Sequence, residues 1–222
     1  MENIIKKSYH NDGNDDVLKY ITKSCNVLDV GCGSGDNARV LKERNCTVDG
    51  ITISENELVQ ASKYLNKGYL HNLENGLPEE VKLNQYDFII CSHVLEHICY
   101  PENLLIDIWN CLQPNSKLII ALPNLFHYKS RWELICGNFN YESAGIWDNT
   151  HFKWYTYKTG GSILEENGFK LVDKTVTGQL PFGSFFSRIF SDKSSTKIYK
   201  FLVKISPGLF GYQLLYVAQP DK

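Results

Sequence analysis

The chain has 222 residues, a formal net charge of −2, 43% hydrophobic and 22% charged residues. That is enough for one full-size globular domain with a sizeable core, or a domain carrying a large insertion. The near-neutral balance gives no global pull towards nucleic acid or an anionic membrane, and no 18-residue apolar run suggests a transmembrane helix.

The first residues, MENIIKKSYHNDGNDD, contain no apolar stretch long enough for a signal peptide. Seven cysteines, an odd number with no CxxC pair, read as buried free thiols in a reducing cytosol. NVLDV (26–30) reads as a buried strand, NARVLKER (37–44) as a helix and TVDGITI (47–53) as a second strand. In SENELVQASKYL, Leu58, Ala61 and Leu65 share one helical face, and Ser54 with Glu57 forms a capping box. YDFIICS (86–92) is a further apolar strand. PENLLIDIWNCL (101–112) has proline at the first helical position and an acid in the first turn.

KLIIALP (117–123) reads as a strand and YTYKTGGSILEENG (155–168) as a helix closed by Gly168. FKLVDKTV (169–176) and YQLLYVA (212–218) are the last strands. Strands alternating with helices predict an α/β fold, a parallel sheet covered on both faces. Two long segments break this rhythm. Residues 124–154 are rich in aromatic and polar groups and predict a lid or substrate wall. Residues 178–210, with SFFSRIF and KIYKFLVKI, are apolar and basic, which suits a second lid, a dimer face, a membrane-surface contact or a helix packed on the sheet.

VLDVGCGSGDN (27–37) carries the most specific signal. Its glycines follow the first strand and enter the first helix, where open α/β sheets bind ligands. Glycine allows positive φ and removes the Cβ that would meet a ligand, and the helix start offers free N–H groups. Gly31, Gly33 and Gly35 give G-x-G-x-G. A dinucleotide fingerprint needs G-x-G-x-x-G, which disfavours a nicotinamide-dependent dehydrogenase, and a phosphate loop needs GK[ST].

D-x-G-x-G-x-G after a buried strand resembles the first motif of class I S-adenosylmethionine-dependent methyltransferases. The resemblance covers most of the chain, with YLHNLENGLP and CSHVLEH as later landmarks in order. It implies a single domain over 1–222 with lid-like insertions at about 124–154 and 178–210. It implies a Rossmann-like, seven-stranded, mostly parallel sheet with helices on both faces and a reversed final strand. The implied cofactor is S-adenosylmethionine, leaving as S-adenosylhomocysteine. Asp29 would face its ammonium group, and Gly31 and Gly33 would let the backbone approach the methionine and ribose. Asn72 and Leu73 would meet the adenine through an amide oxygen and a neighbouring N–H. Cys32, Gly35, Ile53, Ser92 and His93 complete the implied cofactor site.

One position departs from the pattern. The family's second strand usually ends in an acid that grips both ribose hydroxyls, and here Thr52 stands there. GITIS and the histidine of LEH resemble cyclopropane fatty acid synthases, which also lack that acid, whereas the remainder does not. Glu55 is the acid expected to stand in.

An alcohol acceptor must lose a proton, so a general base helps by roughly 10²–10⁴-fold. The six histidines are His10, His71, His93, His97, His127 and His151. His93 and His97, four apart, would share a helical face beside the methyl group. Their order lacks HExxH and predicts no metal. His97 reads more simply as a packed histidine at a helix start. His151, in WDNTHFKWYT with Asp148 to orient it, is the leading candidate base, and His93 the second. A substrate-binding or structural role for His151 stands beside that reading. The segment PNLFHYKSRWELICGNFNYESAGIWDNTHFKWYT resembles bacterial methyltransferases linked to surface glycans or methionine-related pathways. His127, Arg131, Trp147 and Tyr155 are its candidate substrate contacts. Arg131 suits a phosphate or carboxylate, and Trp132, Phe139, Tyr141 and Trp154 suit a sugar face or an aromatic ring, or form the segment's own core.

The resulting expectation is a cytosolic methyltransferase acting on a hydroxyl, or next an amine, of a small molecule or glycan precursor. No flipped-base motif or basic stripe points to nucleic acid. The rivals are a lipid or quinone methyltransferase at a membrane surface and a non-catalytic cofactor-binding regulator.

Overall fold

The computed structural model describes residues 13–178 and 192–222. The segment SFFSRIF and the candidate His10 lie outside the described residues. Seven strands form one sheet in the order β3-β2-β1-β4-β5-β7-β6. They are β1 (Asn26–Val30), β2 (Thr47–Thr52), β3 (Lys67–Leu70), β4 (Tyr86–Ser92), β5 (Leu112–Pro123), β6 (Phe169–Thr177) and β7 (Gln213–Pro220). The pairs among β1 to β5 are parallel, and β7 runs antiparallel to both β5 and β6. The Rossmann-like sheet with a reversed final strand is as expected.

Period-two alternation decides which side chains enter which layer. Leu28 and Val30, Ile89 and Cys91, and Leu118, Ile120 and Leu122 join one buried cluster. Their neighbours Val27, Ile90, Ile119 and Ala121 join a second cluster on the opposite face. Truncating any of these leucines or isoleucines to alanine should cost about 2–5 kcal/mol. Both faces are covered by helices: α1 (Asp15–Leu18), α2 (Asp36–Glu43), α3 (Glu55–Ala61), α4 (Glu79–Lys82), α5 (Pro101–Asn110), α6 (Tyr128–Ile135), α7 (Thr159–Glu166), α8 (Asp192–Ile205) and α9 (Pro207–Phe210).

Several boundaries differ from expectation. α3 stops at Ala61 rather than near Leu65. β3 was not visible in the sequence, because this four-residue edge strand buries little and carries no apolar run. α7 begins only at Thr159, and its glycines let β7 pack closely. A Cβ on Gly160 would lie 2.6 Å from the Tyr216 hydroxyl. All seven cysteines are free, four buried and Cys136 exposed. Among the described residues, no helix is long and apolar enough to cross a membrane.

Strand order reverses direction between β1 and β4, so the crevice at their carboxyl ends is the place where this sheet binds ligands. The loops after β1, β2, β4 and β5 all meet there.

Candidate active site

The turn after β1 is tight because Gly31, Gly33 and Gly35 all have positive φ, at 76°, 52° and 84°. Space demands glycine as well. A Cβ on Gly31 would run into Val94 Cγ2, and one on Gly35 would sit 2.9 Å from Ala61. Cys32 N–H bonds to Ile51 O at 2.8 Å, which ties the turn to β2. Through Val94, the glycine turn packs directly on the segment that follows β4.

Asp29 ends β1 with its side chain in the same layer as Val27. It is 1% exposed, and neither carboxylate oxygen has a hydrogen-bond partner of normal geometry. Burial pushes its pKa up from 3.8 to about 7; the Asn37 amide offsets a little of this and Asp36 adds to it. An orphaned acid under a glycine cradle fits a cationic ligand group, as the ammonium of S-adenosylmethionine would be.

At the end of β2, Thr52 is buried and donates to Glu57 Oε2 at 2.8 Å. Ser54 caps α3 by accepting from Glu57 N–H at 3.4 Å, so half of the expected capping box forms. Glu57 itself is turned towards Thr52, and Glu55, expected to supply the acid, is exposed. Ile53 is half-buried beside it. Asn72 Oδ1 accepts from Glu74 N–H at 3.1 Å and so caps the 3₁₀ turn Leu73–Asn75. Leu73 packs against the core edge.

β4 ends at Ser92, which accepts from the Asn14 amide at 3.2 Å. His93 has φ 56°, a conformation costly for a side-chain-bearing residue. It holds the ring between Glu96 Oε1 at 3.2 Å and Gln213 Oε1 at 2.8 Å, with the side chain 45% exposed. The expected common helical face of His93 and His97 does not form, because a left-handed residue followed by the 3₁₀ turn Leu95–His97 replaces the helix. His97 instead meets His151, ring centroids 4.7 Å apart.

Glu96 organises this meeting. Its carbonyl accepts from Phe152 N–H and Lys153 N–H at 2.8 and 3.1 Å, which draws the 150–153 segment over the turn. Its side chain is fully buried, and Oε2 has no hydrogen-bond partner. Burial would raise the Glu96 pKa, but His93 and His97 outweigh it and lower it. His93 shows the reverse: burial would pull it down, while Glu96 and Gln213 push it up. His151 is lowered, chiefly by burial, despite the Glu96 charge, which favours neutral imidazole.

Asp148 meets His151 through its backbone carbonyl, which accepts from His151 N–H at 3.1 Å, and through its charge. Its Oδ1 accepts from the Thr150 backbone at 2.9 Å and hydroxyl at 2.6 Å, while His151 Nδ1 bonds to Ile146 O at 3.1 Å. Of the other candidates, Tyr155 comes to the site. It is 5% exposed, with a buried hydroxyl that has no partner, and its pKa is raised by burial and then by Glu96. His127 is buried between Tyr128 and Tyr212, and burial lowers it to about 4. Arg131 is exposed, its Nε donating to Phe126 O and its guanidinium over the Phe126 ring. Trp147 is 6% exposed, donates to Glu133 Oε2 at 2.6 Å and packs on Phe139. Phe139 also meets Tyr141 and Trp154, but Phe139 and Tyr141 are exposed, so only Trp147 of these four is buried in the segment.

Sequence reasoning passed over Glu57 and Glu96. The signal for Glu96 was a charge inside the apolar run of HVLEHI, since a buried charge requires partners. Glu57 was hidden by its capping role.

A family model described as a methyltransferase domain matches residues 9–174. The chain is 28% identical over 109 residues to the ubiquinone biosynthesis O-methyltransferase of Pseudomonas entomophila (strain L48), covering 44% of each chain. It is 31% identical over 128 residues to the enzyme of that name from Rickettsia canadensis (strain McKiel), covering 56% of this chain and 50% of that one. The chain thus spans about half the length of the curated relatives it matches. Its fold is similar to a SAM-dependent methyltransferase from Archaeoglobus fulgidus, with a TM-score of 0.66 at 22% identity over 92% of this chain and 91% of that one. It is also similar to magnesium protoporphyrin IX methyltransferase from Synechocystis PCC 6803 with bound SAH, with a TM-score of 0.58 at 18% identity, covering 93% and 80%.

Proposed function

Because the chain belongs to the methyltransferase-domain family, we propose that it moves the methyl group of S-adenosylmethionine onto a hydroxyl oxygen of a small molecule. When bound, that cofactor supplies an electrophilic methyl carbon on a sulfonium and leaves as S-adenosylhomocysteine. Asp29 would hold the ammonium group, and the backbone of Gly31 to Gly35 would line the methionine and ribose. Thr52, with Glu57 behind it, would take the ribose hydroxyls. Cys32, Ile53, Asn72, Leu73 and Ser92 would complete the pocket.

The observation that carries the hydroxyl reading is the Glu96–His97–His151 cluster packed beside the glycine turn. An amine or thiolate acceptor needs positioning and little else, whereas a hydroxyl must shed a proton as the new carbon–oxygen bond forms. His151 would take that proton where no cation is bound, and the Glu96 carboxylate would stabilise the resulting positive charge. His93, partly exposed and bonded to Glu96, gives a route onward to solvent. Tyr155 offers a hydroxyl to position the acceptor. Residues 124–154 would form the acceptor wall, with Trp147 bracing it and His127 and Arg131 at its base and rim.

The test is S-adenosylhomocysteine formation by purified protein with matched panels of phenols, sugars, nucleotide-linked sugars and amines. Turnover confined to the amines would remove the reading.

A second reading makes the acceptor a quinol-like phenol at a membrane surface. α8 favours it: Phe201 and Ile205 are 63% and 65% exposed, with Lys197, Lys200 and Lys204 exposed beside them. The names of the curated relatives favour it as well. The glycan alternative rests on the resemblance of the 124–154 segment, whose aromatics mostly face one another. Co-sedimentation with anionic vesicles separates the two.

A further inference from the structure

We propose that Glu96, His97 and His151 form a binding site for one divalent first-row transition cation. One donor atom from each lies within 4.8 Å of the other two. Glu96 is fully buried, and its Oε2 faces no protein donor. His93 holds only the other carboxylate oxygen, Oε1, so Oε2 is left without a hydrogen bond in a buried place.

The two histidines are fixed in the form a cation requires. His151 Nδ1 lies 3.1 Å from Ile146 O, an acceptor, so Nδ1 carries the hydrogen. His97 Nδ1 lies 3.2 Å from Thr150 O and 3.1 Å from Thr150 Oγ1. The hydroxyl hydrogen of Thr150 is committed to Asp148 Oδ1 at 2.6 Å, so Oγ1 accepts from His97. Both Nδ1 atoms therefore donate, and both Nε2 atoms keep their lone pairs. Neither Nε2 has a hydrogen-bond partner among the described residues. A ligating imidazole that gives its other N–H to a carbonyl or hydroxyl is the usual supporting arrangement around metals. The chain Asp148–Thr150–His97 supplies it on one side and Ile146 on the other.

Two imidazoles and one carboxylate suit zinc, manganese, iron or cobalt better than calcium, and they leave coordination positions open. Ligands at about 2.1 Å from one ion lie about 3.4 Å apart in a tetrahedral set, so side-chain rotations that draw the three donors together by roughly 1–1.5 Å close the set. The sequence pattern gave no hint of this, because His97 and His151 come from different loops.

The inference deepens the hydroxyl reading, and its catalytic part rests on it. With the cation in place His151 is a ligand rather than the base. An acceptor oxygen at an open position would become more acidic and give its proton to solvent water, and its bond to the methyl carbon would form as the carbon–sulfur bond of S-adenosylmethionine breaks and S-adenosylhomocysteine leaves.

The test uses the full chain stripped by a chelator and titrated with Mn²⁺ and with Zn²⁺ in a calorimeter, without acceptor. The expected result is one ion per chain, with a rise in melting temperature as the ion is added. Glu96→Gln, His97→Gln and His151→Gln should each weaken binding by about 100-fold or more, and Thr150→Val by about 10- to 100-fold. No uptake by the wild-type chain at millimolar ion, or uptake unchanged in folded variants, overturns the site. If the three ligand variants fail to fold, wild-type uptake and Thr150→Val decide. An ion bound with no hydroxyl acceptor methylated keeps the site and removes the hydroxyl reading. Full hydroxyl methylation by stripped protein that binds no ion does the opposite.

Discussion

Thr52 donates its hydroxyl hydrogen to Glu57 Oε2 across 2.8 Å, so a buried carboxylate stands at the end of β2 although the strand itself ends on a threonine. The acid is five positions later and reaches back from the first turn of α3. The place where ribose hydroxyls are expected thus keeps both a hydroxyl and a carboxylate.

Replacing Glu57 with alanine should weaken S-adenosylhomocysteine binding by about 10- to 100-fold, the cost of losing a charge-assisted hydrogen bond. Glu57→Gln should lose less. Calorimetric titration of the cofactor product measures both. Binding unchanged in Glu57→Ala would place the ribose elsewhere.

Asp29 sets a pH dependence. Its ligand-free pKa is raised to about 7. Below that pH the carboxyl is protonated, and a cationic ligand must expel the proton to bind. Cofactor affinity should fall by up to about tenfold per pH unit below 7 and level off above it. The stability effect has the opposite sense. The folded carboxyl binds its proton more tightly than the unfolded one, so this group's contribution to stability falls as pH rises from about 4 to about 7. Asp29→Asn should therefore raise the melting temperature of the ligand-free protein at pH 8 and weaken cofactor binding. Thermal scans with and without S-adenosylhomocysteine check both signs.

Gly31→Ala meets two obstacles, a positive φ and the Val94 side chain. The backbone strain alone is about 1–3 kcal/mol, which should lower the melting temperature by roughly 2–12 °C. Cofactor binding should fall with it, since the turn would have to open.

Tyr155→Phe removes a buried hydroxyl that has no partner. Folding stability should stay level or rise slightly, because no hydrogen bond is lost. Methyl transfer should nonetheless drop about tenfold or more if that hydroxyl positions the acceptor. Melting curves and kcat/KM together separate the two effects.

The sheet was legible because its central strands bury both faces and read as unbroken apolar runs, and the glycine turn because its spacing is demanded by geometry. β1 matches NVLDV residue for residue. β3 was illegible because an exposed edge strand needs no apolar pattern. At the site, Asp29 and the glycines were readable from one local motif. The grouping of His97 with His151 was not, since it depends on Glu96 O catching the amides of Phe152 and Lys153, a contact between residues more than fifty positions apart. Distance along the chain pairs Asp148 with His151, whereas the Asp148 Oδ1 accepts from the Thr150 backbone and hydroxyl. The aromatics of 124–154 read alike in the sequence, whereas the structure buries Trp147 and leaves Phe139 and Tyr141 exposed beside it.

The central claim is methyl transfer to a hydroxyl beside the Glu96–His97–His151 cluster. The most direct measurement offers the enzyme S-adenosylmethionine with a ¹³C-labelled methyl group and acceptors that carry both a hydroxyl and an amine, and reads the product by NMR. The account predicts label in an O-methyl group, with the rate reduced about 100-fold or more in Glu96→Gln. Label found only on nitrogen, or an O-methyl rate unchanged in Glu96→Gln, would contradict it.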